Sequence, residues 1–246
     1  MITGGGSGIG RAAALLFAGE GAFVYVLEVG EAAGKETIQL VKEAGGDAEF
    51  IRVDISERDE VEAAFLQIGG SGGIDILYNN ASVFWGTRDA ALENLDMDVF
   101  EQILRINLFG TAYCTKCAIP LLKRNGGGSI IMTSSSCGLI GIPGCDAYST
   151  SKGGTISLTR ALAVEYGPAN IRTNCVAPAA IRTPMIYESD LNKKEFDEQA
   201  FLTAKTPVRR WGTAEDVANL ALFLATPEAS YINGAVLVAD GGITIT

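Results

Sequence analysis

Apolar runs alternate with amphipathic stretches along the whole chain. The apolar runs at 22–28, 48–53, 74–78, 129–133, 171–176 and 235–239 read as strands. The stretches at 8–18, 31–44, 57–68, about 96–124, 148–166 and 214–225 carry helical periodicity. Strict alternation of this kind predicts a parallel sheet covered by helices on both faces, an α/β arrangement in one domain over residues 1–246. Two places depart from the pattern. Only Met1, Ile2 and Thr3 precede a glycine-rich stretch, whereas strands usually run ~5–6 residues. The first strand is therefore expected to be truncated, either a stub or the end of a strand whose chain starts late. From Met185 to Pro207 a polar, charged insertion replaces the alternation, and a segment of that length is expected to form a substrate loop or lid.

The glycine-rich stretch carries the first chemical signal. Thr3-Gly4-Gly5-Gly6-Ser7-Gly8-Ile9-Gly10 leads into Arg11–Ala18, a strong helix-forming run. Glycines let backbone amides approach a phosphate closely, and the start of the next helix adds free N–H donors and a positive dipole. A lone glycine cluster is often only a loop. Here an apolar strand, Ala22–Leu27, follows the helix and ends on Glu28. Turn, helix, strand and carboxylate in that order describe a dinucleotide-binding unit.

The second signal is Tyr148-Ser149-Thr150-Ser151-Lys152, in a chain with no histidine. A Tyr and a Lys four residues apart share one helix face. A phenol titrates near ~10 and an ammonium near ~10.4, so a neighbouring Lys152 is expected to lower the pKa of Tyr148 toward a useful value. Alone, this spacing reads more simply as an amphipathic helix with an exposed Lys. Its weight comes from the other motifs.

Charge and cysteine usage narrow the partners. The net charge of −10 and a pI near 4.6 argue against nucleic acid and anionic membranes. No apolar run approaches the ~18–20 residues of a membrane span, and no signal peptide precedes the glycine motif, which predicts a cytoplasmic protein. Five cysteines are scattered at 114, 117, 137, 145 and 175, unlike a secreted disulfide scaffold. Cys114-Thr115-Lys116-Cys117 lies inside a helical pattern and reads as core or interface thiols. No metal site is expected.

Together with Asp54, Asn79-Asn80-Ala81-Ser82, Asn107, Ser134-Ser135-Ser136, Asn174, Pro178–Pro184 and Asp240-Gly241-Gly242, these motifs resemble the short-chain dehydrogenase/reductase family. The branch is the single-domain one with TGxxxGxG and YxxxK, and the match covers essentially the whole chain. The resemblance implies a doubly wound, seven-stranded parallel sheet of Rossmann type and hydride transfer between an alcohol carbon and a nicotinamide. Tyr148 matches the acid/base. Ser135, 13 residues earlier, matches the group that hydrogen-bonds the substrate oxygen, with Ser134 and Ser136 as rivals on spacing. Lys152 matches the residue that lowers the tyrosine pKa and binds the nicotinamide ribose. Asn107 matches the holder of a relay water, a buried Asn bonded to a local carbonyl being the plainer alternative.

For the cofactor, the resemblance implies a phosphate turn of Gly4, Ser7, Gly8, Ile9 and Gly10. It also implies adenine and ring contacts from Asp54, Ile55, Asn80 and Ala81, and contacts at the nicotinamide end from Tyr148, Lys152, Pro178, Ile181 and Thr183. Asp54 or Ser56 serves equally well as a cap for the following helix. Ser82 and Ala179 stand where the family usually carries Gly. Glu28, 18 residues after Gly10, is placed to accept hydrogen bonds from free ribose hydroxyls and repel a 2′-phosphate. Ser7 stands where phosphate-binding relatives often carry Arg, so NAD is preferred over NADP. The reading is an NAD-dependent secondary-alcohol dehydrogenase or ketone reductase acting on a small molecule. The alternatives are a 3-oxoacyl-carrier-protein reductase and a non-catalytic dinucleotide-binding regulator. Apolar positions on more than one face of the helices at 96–124 and 148–166, among them Leu104, Leu108, Leu158 and Leu162, predict a homo-oligomer, and the resemblance favours a tetramer.

Overall fold

The computed structural model describes residues 1–70, 72–188 and 196–246. Its strands are β1 (Ile2–Thr3), β2 (Phe23–Glu28), β3 (Asp47–Arg52), β4 (Ile76–Asn79), β5 (Gly128–Thr133), β6 (Ile171–Pro178) and β7 (Val236–Ala239). Its helices are α1 (Gly8–Gly19), α2 (Glu31–Glu43), α3 (Arg58–Gly70), α4 (Met97–Leu104), α5 (Thr111–Arg124), α6 (Asp146–Tyr166), α7 (Glu198–Lys205) and α8 (Ala214–Ala225). The strands form one parallel sheet in the order β3-β2-β1-β4-β5-β6-β7, the doubly wound arrangement expected from the alternation.

Side-chain alternation along each strand separates two cores. Leu27, Leu77, Ile130 and Met132 face one way, onto Val61 and Phe65 of α3, Cys114 and Leu122 of α5 and Ile156 of α6. Val26, Tyr78, Ile131 and Val176 face the other, onto Ala13 and Phe17 of α1, Val41 of α2 and Val217 and Leu224 of α8. Cys114 is thus a core thiol, and burial pushes it well above the ordinary thiol range.

β1 is short yet central. Ile2 pairs with both Val26 and Tyr78, and the Thr3 hydroxyl accepts the N–H groups of Asn80 (3.0 Å) and Ala81 (3.1 Å). That side chain ties the ends of β1 and β4 together.

Two expectations are refined. The helix expected at about 96–124 runs from Met97 to Arg124 with a π-helical stretch, Arg105–Gly110, between α4 and α5. The apolar pattern passes through it because the interruption is set by polar contacts of Asn107 and by the close approach of Gly110, where a Cβ would come within 2.8 Å of Ile55. The 185–207 insertion is not wholly a loop, because it contains α7, capped by Asp197, whose carboxylate accepts the Ala200 N–H at 2.8 Å. Residues 189–195 of that segment lie outside the described residues. Among the described residues no helix is long and apolar enough to cross a membrane.

Candidate active site

A cleft of about 1100 Å³ opens at the C-terminal ends of the strands, across the point where the order reverses between β1 and β4. In open α/β sheets this is where ligands bind. Its two halves are built differently.

One half is made mainly of backbone. Gly4 and Gly8 take left-handed conformations (φ +64° and +50°), and a Cβ on Gly4 would lie 2.7 Å from the Ala81 backbone. Ser7, the N-cap of α1, makes no side-chain bond to the helix, so the first-turn amides keep their donors for an anion. Gly4, Ser7, Gly8 and Ile9 line the cleft, whereas Gly10 does not. Gly10 instead packs α1 on the turn, where a Cβ would strike the Gly4 carbonyl. The Glu28 carboxylate lines the cleft and accepts the Gly6 N–H (3.1 Å) and the Gly30 N–H (3.0 Å). Asp54 lines it too, and its Oδ1 accepts both the N–H (2.9 Å) and the hydroxyl (2.7 Å) of Ser56, the helix-entry role that the sequence left open. Ile55, Asn80, Ala81, Pro178, Ile181 and Thr183 complete this wall. The glycine cradle, free helix amides and two carboxylates fit a nicotinamide dinucleotide.

The other half is made of side chains from the turn after β5 and from α6. Tyr148 is buried on the first turn of α6 and lines the cleft together with Ser135, whose hydroxyl accepts the Cys137 N–H at 3.3 Å. The Ser134 hydroxyl is committed elsewhere, to the Lys152 carbonyl at 2.8 Å. Lys152 is 2% exposed, donates from Nζ to the Thr133 carbonyl at 2.9 Å and lies 5.4 Å from the centre of the Tyr148 ring. It stands behind the cleft wall, not in it.

Burial dominates both titrations. It pushes the Tyr148 phenol well above its ordinary value and brings Lys152 down to about 8. The expectation that Lys152 lowers the tyrosine pKa is therefore not met in the chain alone, because desolvation of the phenolate dominates its titration. Asn107 is likewise set back from the cleft. Its amide N–H groups donate to the Val83 carbonyl (2.9 Å) and to Ser151 Oγ (3.1 Å), and its Oδ1 accepts the Val83 N–H (2.8 Å). These bonds tie the loop after β4 to α6.

Ala179 is not in the left-handed region; its neighbour Ala180 is, at φ 51°. The local backbone strain thus falls one residue beyond the replaced glycine.

Sequence reasoning missed Asp89 and Phe84. Asp89 is 6% exposed and caps α6 from 58 residues upstream, accepting the Ala147 N–H at 3.1 Å and the Tyr148 N–H at 2.8 Å. The available signal was Cys145, which at the N-cap gives no side-chain cap to a 21-residue helix. Phe84 rests on the Tyr148 ring, centroids 4.8 Å apart, and no spacing rule points to it.

The family described as Enoyl-(Acyl carrier protein) reductase matches residues 4–244. The chain is 38% identical to the uncharacterized oxidoreductase YxbG of Bacillus subtilis, covering 99% of this chain and 89% of that one. It is 35% identical to the 2,5-dichloro-2,5-cyclohexadiene-1,4-diol dehydrogenase of Sphingobium indicum (99% and 96% covered). Identity to the 3-oxoacyl-[acyl-carrier-protein] reductase of Thermotoga maritima is 37% (100% and 97% covered). Among solved structures, levodione reductase superposes with a TM-score of 0.93 at 32% identity, covering 99% and 96%. A Beutenbergia cavernae protein described as an NAD(P)-dependent gluconate 5-dehydrogenase, with NADP bound at low occupancy, superposes at 0.92 with 30% identity (100% and 96% covered).

Proposed function

We propose, since this chain belongs to the short-chain dehydrogenase/reductase family, that it interconverts a secondary alcohol and a ketone with NAD(H), Tyr148 being the acid/base. The observation that carries the reading is that Ser135 and Tyr148 line one cleft with Lys152 buried behind it. A bound nicotinamide supplies or takes the hydride. The chain's own residues handle the oxygen and its proton. Ser135 orients the substrate oxygen, and Tyr148 donates a proton to it in reduction or removes one in oxidation. Because burial keeps Tyr148 protonated, the pair is set for reduction near neutral pH. Oxidation needs the Tyr148–Lys152 couple to lose a proton, which begins near the lowered value of about 8 at Lys152.

Preference for NAD over NADP is argued from charge. The cleft's acids Glu28 and Asp54 stand on its dinucleotide side, and Lys205 is the one basic side chain among the described residues lining it. Arg11, beside the turn, is engaged by Glu36 and Thr37. Lys205 belongs to the 185–207 segment, which we assign as the substrate wall. Met185, Ile186 and Phe201 line the cleft with it, as do Phe84, Ile140 and Ile142. This lining supports an apolar substrate, and an alicyclic alcohol or ketone agrees with what the Sphingobium relative acts on. Reduction of a 3-oxoacyl carrier-protein substrate is the second reading, favoured by the Thermotoga relative.

We further propose a homo-oligomer, a tetramer by family resemblance. An apolar groove between α5 and α6, lined by Ile119, Pro120, Leu158 and Leu162, supports it, as does Val164, 81% exposed on α6. The five free thiols suit a cytoplasmic setting. Initial rates across cyclic and open-chain ketones and alcohols with NADH, NADPH and their oxidised forms test the function. Turnover confined to NADPH with an acyl-carrier substrate would move the second reading ahead, and a monomer at micromolar concentration in sedimentation would reject the assembly.

A further inference from the structure

Phe84 takes no part in the core. Its chain neighbours Val83 and Trp85 both pack on the buried cluster of Leu95, Val99, Ile103 and Ala147. Phe84, between them, packs on none of the hydrophobic clusters of the described residues. It is half-buried, lines the cleft, and lays its ring against that of Tyr148, centroids 4.8 Å apart and planes inclined at 55°. Core packing therefore does not account for a large apolar ring at this position.

The backbone on each side of Phe84 is fixed. The Asn107 side chain bonds the Val83 N–H (2.8 Å) and carbonyl (2.9 Å). The Trp85 carbonyl accepts the N–H groups of Arg88 and Asp89, both at 2.8 Å. Both anchors reach the helix that carries the tyrosine. Asn107 donates to Ser151 Oγ at 3.1 Å, and the Asp89 carboxylate accepts the Tyr148 N–H at 2.8 Å. The backbone under Phe84 is thus held relative to Tyr148, which is how a support keeps a reacting group in one geometry.

We propose, resting on the alcohol–ketone reading, that Phe84 is a positioning and specificity-determining residue. It covers one side of the Tyr148 ring and closes the cleft there to ketones bulky on both sides of the carbonyl.

The argument is one of space. A substrate oxygen must come within ~2.7–2.8 Å of the Tyr148 hydroxyl to share its proton. Two rings 4.8 Å apart leave no room for a further group between them, so one substituent of the carbonyl has to fit beside Phe84 and be small or flat. The other can extend toward Ile142, Met185 and Phe201, which line the same cleft. An apolar pocket discriminates by ~10–200-fold for each methylene of misfit. The same contact keeps the phenol from tilting away from the oxygen, and a misplacement of ~1 Å costs ~10²-fold in rate.

The test compares the purified full chain with Phe84→Ala, which removes the ring, and Phe84→Tyr, which keeps it. Tetranitromethane modifies accessible tyrosines, and peptide mass mapping reads which. In the wild type Tyr231, fully exposed, should be nitrated and Tyr148 should not. In Phe84→Ala, Tyr148 should become modified, while Tyr78, fully buried in the core on the other face of the sheet, stays protected. Phe84→Tyr should protect Tyr148 again. In initial rates, Phe84→Ala should lose roughly tenfold or more in kcat on a small ketone. With a ketone bulky on both sides its kcat/KM should rise roughly tenfold, and Phe84→Tyr should follow the wild type on both. Phe84→Leu gives the same comparison with less volume removed, should Phe84→Ala fold poorly. Equal protection of Tyr148 without the ring, or an unchanged order of preference between the two ketones, would overturn the proposal. So would loss of Tyr78 protection in both Phe84→Ala and Phe84→Leu, which would make the ring a support of the fold. Nitration needs no substrate, so the covering of Tyr148 is decided even if the alcohol–ketone reading fails.

Discussion

The two halves of the cleft differ in how far apart their parts lie in the chain. The dinucleotide half is largely local: Gly4–Gly8 shape the turn, α1 follows at once, and Glu28 is fastened to Gly6 and Gly30 through backbone N–H groups. The catalytic half is assembled from distance. Tyr148 and Lys152 share α6, but Asp89 holds the start of that helix, Phe84 rests on the Tyr148 ring, and Asn107 links Val83 to Ser151. Local, backbone-built sites tolerate side-chain change as long as glycine conformations are kept. Assembled sites fail when any remote support is removed.

Replacing Tyr148 by Phe should have the largest effect. The ring and its contact with Phe84 survive and the proton donor is lost, so kcat should fall ~10²–10⁴-fold while dinucleotide affinity, measured by calorimetry, stays within a few-fold. A variant with more than a tenth of wild-type turnover would place the acid/base elsewhere. Asp89→Ala comes next. It strips the partners from two buried N–H groups, at ~1–3 kcal/mol each, and should lower the denaturant midpoint and turnover together. Asp89→Asn, which keeps one acceptor, should recover part of both. If Asp89→Ala lost stability with unchanged kcat, the cap would not be positioning Tyr148.

Changes in the local half should be milder and should act on cofactor choice. Glu28→Ala removes a charge-assisted acceptor for ribose, ~1.5–3 kcal/mol, lowering kcat/KM with NAD and raising it with NADP. An unchanged ratio of the two would mean that Glu28 only staples Gly6 to Gly30. Smallest of all, Ser134→Ala should leave kcat within a few-fold, because its hydroxyl bonds the Lys152 carbonyl and not Tyr148. A loss as large as that of Ser135→Ala would exchange their roles.

The same contrast explains what could be read in the sequence. Every long strand and the helices with clear periodicity were legible, since apolar alternation reports burial directly, and so was the local glycine turn with Glu28. The π-helical stretch at Arg105–Gly110 was not, because its cause is the bonding of Asn107 to residues 24 and 44 positions away. Helix α7 was hidden by its polar composition. Ala179 stands where the family usually carries Gly, yet Ala180 carries the left-handed backbone, a one-residue difference that composition does not encode. Asp89 left no spacing signature at all. That Tyr148 and Ser135 line one cleft could be anticipated from resemblance, but the sign of the tyrosine pKa shift could not, because burial is a property of the folded chain.

That sign leads to the most direct measurement of the account's central claim: kcat/KM against pH in both directions for the wild type and for Lys152→Met. Below about 8, where the buried Lys152 keeps its proton, the Tyr148–Lys152 couple can give a proton but not take one. Reduction should therefore fall and oxidation should rise as pH passes through about 8, and both limbs should disappear in Lys152→Met. Profiles that stay flat through this range, or that move in the same direction, would contradict a buried Tyr148–Lys152 couple as the proton carrier.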